Sequence, residues 1–121
     1  MHFLAACAIA GVLFLLQPSR LLAEPLRSLG EVNDALGRCW TPPVGIKNSF
    51  VTLKFAFRAN GTLMGPPQPT AIRVTGDEAQ RKAFVAAASA ALEECMPLEF
   101  SQAVAEEIAG VVFTLQFNSA E

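Results

Sequence analysis

The chain has 121 residues, with 9 Lys and Arg against 11 Asp and Glu, one His, no Tyr and three Cys. That length holds one globular unit of about 100–150 residues, which excludes a multidomain enzyme. A net charge of −2 offers no basic excess to neutralise a run of phosphates, which argues against nucleic-acid binding, and 52% apolar residues support a packed core rather than a disordered chain.

Phe3 to Leu16 (FLAACAIAGVLFLL) is a run of 14 uncharged residues, followed by Pro18, Arg20 and then Leu21-Leu22-Ala23 before Glu24. The run has the length of a signal-peptide apolar region and falls short of the ~20 residues that span a bilayer. We therefore expect a signal peptide over residues 1–23, cut after Ala23, with no stable membrane span left afterwards; an uncleaved anchor is the alternative. Leu4-Ala5-Ala6-Cys7 has the letters of a lipoprotein box, but too few residues precede it, so chance is the reading. Beyond Ala23 the chain keeps 8 basic and 11 acidic residues and two cysteines, Cys39 and Cys95. An even pair in an exported domain predicts a Cys39–Cys95 disulfide. Two thiols without a histidine cannot make a structural zinc site, and no C-x-x-C redox spacing is present.

Residues 24–30 read as a short linker. Val32, Ala35, Leu36 and Cys39 recur at helical spacing, predicting a short helix from Leu26 to Cys39 that ends before Pro42-Pro43. Ser49 to Arg58 alternates, with Val51, Leu53, Phe55 and Phe57 on one face, and predicts a strand with that face buried. Asn60-Gly61 predicts a two-residue type I′ turn and an antiparallel return. The return starts at Thr62, is interrupted by Gly65-Pro66-Pro67 and Pro69, and resumes over Thr70 to Thr75; prolines confine it to an edge, and blunting that edge is preferred to a polyproline-ligand reading. Thr75-Gly76-Asp77 caps an Ala-rich helix from Glu78 to about Glu94, with Phe84, Ala88, Leu92 and Cys95 on one face. Ser101 to Gly110 is ambiguous, with room for one helical turn at Ala103 to Glu107. Val111 to Asn118 alternates again as the last strand.

This order gives an α+β fold, a three-stranded antiparallel sheet of order 2-1-3 with two helices packed on one face. The edge opposite the prolines, Gly110 to Phe117, carries neither proline nor charge. Such an edge is a docking site or an aggregation hazard. We expect docking, with Val112, Thr114 and Gln116 facing the partner; the competing expectation is that the segment Ser101 to Glu107, or the helix before it, covers the edge.

Cys39-Trp40 with its following prolines, Arg58-Ala59-Asn60-Gly61-Thr62-Leu63, Gly65-Pro66-Pro67, the Ala-rich helix closing in Cys95-Met96-Pro97-Leu98, and the terminal Phe-Thr-Leu-Gln-Phe strand together resemble the TolA/TonB C-terminal domain, most closely the alphaproteobacterial TolA form. The resemblance covers about residues 31–118 and implies that residues 31–121 form a periplasmic module of the Gram-negative envelope that binds Tol-Pal or outer-membrane components, commonly by strand addition. The membrane-spanning helix and long stalk of TolA proteins are not expected here, since no Ala/Lys/Glu-rich stretch separates the apolar run from the domain.

Chemistry is sparsely provided for. With His2 in the leader, the rest of the chain has no His or Tyr to serve as a general base, and no motif places Lys47, Lys54 or Lys82 beside a serine, so no catalytic residue and no cofactor is expected. The acid pairs Asp77-Glu78, Glu93-Glu94 and Glu106-Glu107 lack the spacing of a calcium loop and read as solvated helix ends. Trp40 is expected to pack in the core beside the disulfide, with a partner-contacting role as the alternative. A secreted structural or inhibitor-like domain without Tol partners is the second functional reading.

Overall fold

The computed structural model describes residues 24–120. The expected signal peptide, with Cys7, lies outside the described residues. The first helix, α1, spans Leu29–Arg38 rather than starting at Leu26. Ser28 stops it from extending backwards, because its hydroxyl accepts the Glu31 N–H at 3.1 Å as an N-cap. Leu26 is held elsewhere: its N–H donates to Glu99 O and its carbonyl accepts from Ser101 N–H, both at 2.8 Å. Residues 24–30, read as a linker, therefore carry a backbone pairing to the 99–101 segment.

Strand β1 (Phe50–Ala56) is central, flanked by β2 (Gln68–Arg73) and β3 (Val112–Asn118) in the order β2-β1-β3 with both pairings antiparallel. This is the expected fold and strand order. The alternation in β1 is realised in full, since Val51, Leu53, Phe55 and Phe57 are all buried. Residues 62–64 do not start the second strand; Leu63 makes only an isolated bridge to Phe57. Pro69 lies within β2, at the edge, opposite Leu53 and beside an irregularity in register at Thr52/Leu53. A proline there loses no ladder bond that a central strand would need.

The Asn60-Gly61 turn differs from the expected two-residue type I′ geometry. Gly61 N–H donates to Arg58 O at 3.0 Å, Arg58 N–H donates to Thr62 O at 2.7 Å, and only Gly61 has a positive φ, +87°. The result is a three-residue loop closed by a left-handed glycine. Asn60 serves it through its side chain, whose Oδ1 accepts from Thr62 N–H and Oγ1 at 3.1 and 2.7 Å. That Asx bond replaces the positive φ that a type I′ turn would ask of Asn60.

Helix α2 (Glu78–Glu94) carries the expected Asp77 cap, completed as a capping box by Gln80, with both bonds at 2.9 Å. Phe84, Ala88 and Leu92 bury one face of it against the sheet, and the small Ala88 permits close approach. A third helix, α3 (Gln102–Ile108), is longer than the single expected turn, so the helices number three rather than two. Its Ser101 cap accepts from Val104 N–H at 3.2 Å, and Val104 and Ile108, one turn apart, are both buried. Burial of that pair stabilises a helix too short to persist alone. Phe57 sits at the centre of the core, fully buried and in edge contact with Phe55, Phe100 and Phe113 at ring separations of 5.3–5.8 Å.

The disulfide Cys39–Cys95 joins the C-cap of α1 to that of α2, with a Cα separation of 5.9 Å. A second long-range tie is Ser49, the one buried polar side chain among the described residues. Its hydroxyl donates to Lys47 O at 2.9 Å and accepts from Thr75 N–H at 3.0 Å, while its carbonyl accepts from Ser119 N–H at 2.9 Å. Ser49→Ala would leave the part-buried Thr75 N–H and the Lys47 carbonyl without the buried hydroxyl that links them, and we expect a loss of about 1 kcal/mol in urea unfolding. A smaller change would mean that water replaces the hydroxyl.

Candidate functional site

The outer edge of β3 follows from backbone direction. Among β1 carbonyls, Ala56 O accepts from Met64 N–H at 2.8 Å and Thr52 O accepts from the Thr70 hydroxyl at 3.4 Å, so even-numbered residues turn their polar groups toward β2. Ser49 O and Phe57 O accept from Ser119 and Gly110 on the other side, so odd-numbered residues turn toward β3. In the β1–β3 register Val51 faces Phe117, Leu53 faces Leu115 and Phe55 faces Phe113. With a period of two, Phe113, Leu115 and Phe117 spend their N–H and C=O on β1, whereas Val112, Thr114, Gln116 and Asn118 aim theirs away from the sheet.

The side chains sort by the same parity. Phe117 is buried and Phe113 and Leu115 are half-buried on the helix-covered face, while Val112, Thr114 and Gln116 are exposed on the open face, Val112 to 61%. The structure thus brings the three expected partner-facing residues together on one edge. Among the described residues no donor or acceptor bonds the outward backbone groups of Val112, Thr114 or Gln116. The expected competitor for this position, the segment Ser101 to Glu107, instead folds into α3 and turns Val104 and Ile108 into the core.

One outward group is occupied. Trp40 Nε1 donates to Asn118 O at 2.8 Å, and the indole packs edge-on against Phe84 and Phe117 at 5.6 and 5.3 Å. A half-buried indole needs a partner for its N–H, and the end of β3 provides it. Trp40 thereby joins the core, as expected, and also closes one end of the open edge. The tryptophan's place after Cys39 gave no indication of this second role.

Other chemistry-bearing residues serve the fold. Asp77 is the α2 cap, and Ser49 contacts the backbone carbonyl of Lys47. Among the described residues no three His, Cys, Asp or Glu side chains converge as a metal site would require, and no helix is long and apolar enough to cross a membrane. Pro66 is exposed and Pro67 buried, so the pair does not present itself as a continuous ligand.

Residues 22–121 match the family model described as uncharacterised conserved protein UCP034077. The chain belongs to this family. No curated protein and no solved structure matches the chain. The family match starts just before the described residues and takes in every element of the fold, including the unoccupied β3 edge.

Proposed function

We propose that this member of the family is an exported protein-interaction module of the cell envelope, resembling the TolA C-terminal domain, that captures an extended segment of a partner along β3. One observation carries the reading: Val112, Thr114 and Gln116 turn backbone donors and acceptors outward with no partner among the described residues. A β-strand edge of this kind, uncharged and without proline, is a ready template for a further strand. Main-chain hydrogen bonds supply affinity, and the exposed side chains of the same three residues tune specificity. Export and a periplasmic location are supported by the disulfide and by the apolar run from Phe3 to Leu16. Tol-Pal or outer-membrane components are the partners that the resemblance implies.

Thr114→Pro tests the docking mode. Thr114 donates outward, so proline there removes a docking N–H without removing a bond to β1. Recovery of Tol-Pal or outer-membrane proteins from periplasmic extract should fall at least ~10-fold with the variant, given one lost bond and a ring projecting into the added strand. Equal recovery by a variant with wild-type circular dichroism rejects strand addition.

A further inference from the structure

One end of the uncovered sheet face carries side chains that neither the fold nor the β3 edge employs. Val51 and Phe117 turn into the core and Ile72 packs against it, so their chain neighbours Phe50, Asn118 and Arg73 lie on the opposite face. Register sets these three in one row, with Phe50 opposite Arg73 on one side and opposite Asn118 on the other. Side chains paired in this way are neighbours across the sheet. With Asn48 and Ser119 they line a groove of about 650 Å³, inside the range of about 300–1,000 Å³ common to small-molecule sites.

The polar side chains of the groove are unspent. Hydrogen bonds at this end of the sheet run through Ser49, Thr75, Ser119 Oγ and the Asn118 carbonyl, and among the described residues none engages the side chains of Asn48, Arg73 or Asn118. Ser119 Oγ accepts from Ser49 N–H at 3.0 Å and keeps its own proton to donate. The one ion pair among the described residues joins Arg27 to Glu24, so Arg73 has no carboxylate there. The adjoining sequence supplies none: Thr41 to Gly76 holds Lys47, Lys54, Arg58 and Arg73 but no Asp or Glu, and Ala109 to Ala120 holds no charge.

We infer that this groove binds a carboxylate-bearing sugar unit, its ring against Phe50, its carboxylate on the Arg73 guanidinium and its hydroxyls on Asn48, Asn118 and Ser119. Each feature narrows the ligand. A guanidinium without an acid calls for an anion, and its fork matches a carboxylate in a bidentate pair. The carboxamides of Asn48 and Asn118 each offer donors and an acceptor, which hydroxyl groups use and an inorganic anion such as sulfate does not. Phe50, half-buried at the middle of the row, gives an apolar surface to the C–H face of a pyranose ring, while Arg73 and Asn118 on either side reach its polar rim. An acyl chain or a bilayer fits poorly, since the apolar lining is limited, among the described residues, to Phe50 and Ala120. A captured strand does not extend here either, because Trp40 holds the Asn118 carbonyl and ends the β3 seam. The groove is therefore separate from the docking edge and does not depend on strand addition.

An NMR chemical-shift titration of the full chain with galacturonate, its oligomer tetragalacturonate, neutral galactose and acetate tests the assignment. We expect galacturonate to bind at least ~10-fold more tightly than galactose or acetate, each of which lacks part of the contact set, with the largest shifts at Asn48, Phe50, Arg73 and Asn118. Arg73→Gln, a change at an exposed position, should weaken galacturonate at least ~10-fold and leave galactose unchanged. Phe50→Leu, which keeps an apolar side chain but removes the flat ring, should weaken galacturonate and galactose together and leave acetate unchanged. Tetragalacturonate binding more tightly than galacturonate makes the ligand a glycan chain, and equal binding makes it a free sugar acid; the inference holds in both cases. Acetate binding as tight as galacturonate reduces the groove to a simple anion site and overturns the inference. So does the absence of binding by galacturonate and tetragalacturonate at millimolar concentration, or unchanged galacturonate affinity in Arg73→Gln. Thr114→Pro should leave the titration as in the wild type, so that failure of strand addition and failure of the sugar site are read separately.

Discussion

Gly61→Ala is expected to destabilise the domain by about 2–5 kcal/mol, combining the cost of a left-handed alanine with that of overpacking. A Cβ at Gly61 would come within 1.8 Å of Leu98 O and 2.9 Å of Leu98 C, which are backbone atoms and cannot swing aside. The two chains are also bonded there, Leu98 N–H donating to Gly61 O at 3.0 Å, so relief of the clash breaks the link between the 58–62 loop and the segment after α2. Gly65→Ala is the matched control. Its φ is +85°, close to the +87° of Gly61, but a Cβ there meets nothing within 4 Å. Urea midpoints of the two variants should therefore differ clearly, the Gly65 change costing only about 1–2 kcal/mol. Equal midpoints would show that the Gly61–Leu98 approach does not hold in solution.

Replacing both Cys39 and Cys95 by serine is the second large effect. The bridge spans a sequence separation of 56, for which the chain-entropy relation gives about 4 kcal/mol of stabilisation, an upper figure because the unfolded chain keeps some residual structure. For a domain whose total stability is about 5–15 kcal/mol, that change brings the fold near its threshold. Urea unfolding of the oxidised wild type, the reduced wild type and the double variant should place the last two together and well below the first. The bridge fastens the C-caps of α1 and α2, so its loss should be felt where Trp40, next to Cys39, reaches Asn118 at the end of β3. An unchanged midpoint would show that core packing alone holds the two helix ends together.

Much of the architecture could be read directly from the chain because it is written in local periodicity. Alternation placed β1 and β3, the Asp77 cap and the proline after Cys95 bounded α2, and the two remaining cysteines pointed to each other. The readings that missed are those in which a distant partner competes with a local signal. Leu26 fits a helical pattern but pairs with Phe100. Asn60-Gly61 is a strong two-residue signal, yet the Asn60 side chain and the contact with Leu98 select a longer loop. The segment Gln102–Ile108 has too few residues to announce a helix and acquires one by burying Val104 and Ile108.

The candidate site divides in the same way. Absence of charge and proline from Gly110 to Phe117 marks an edge as open wherever it lies, and alternation separates Val112, Thr114 and Gln116 from Phe113 and Leu115. Which set turns its backbone outward depends on register against β1, and the end of the seam depends on a hydrogen bond between residues 78 apart in sequence. The amino-acid sequence by itself determined the three strands, the long helix and their buried faces, which follow from spacing along a few turns or strands, and the cysteine pair, which follows from an even count. Only the tertiary structure decided that the edge stops at Trp40, that Gly61 touches Leu98 and that Ser49 joins three segments, because those contacts are made between chain segments whose local patterns carry no record of each other.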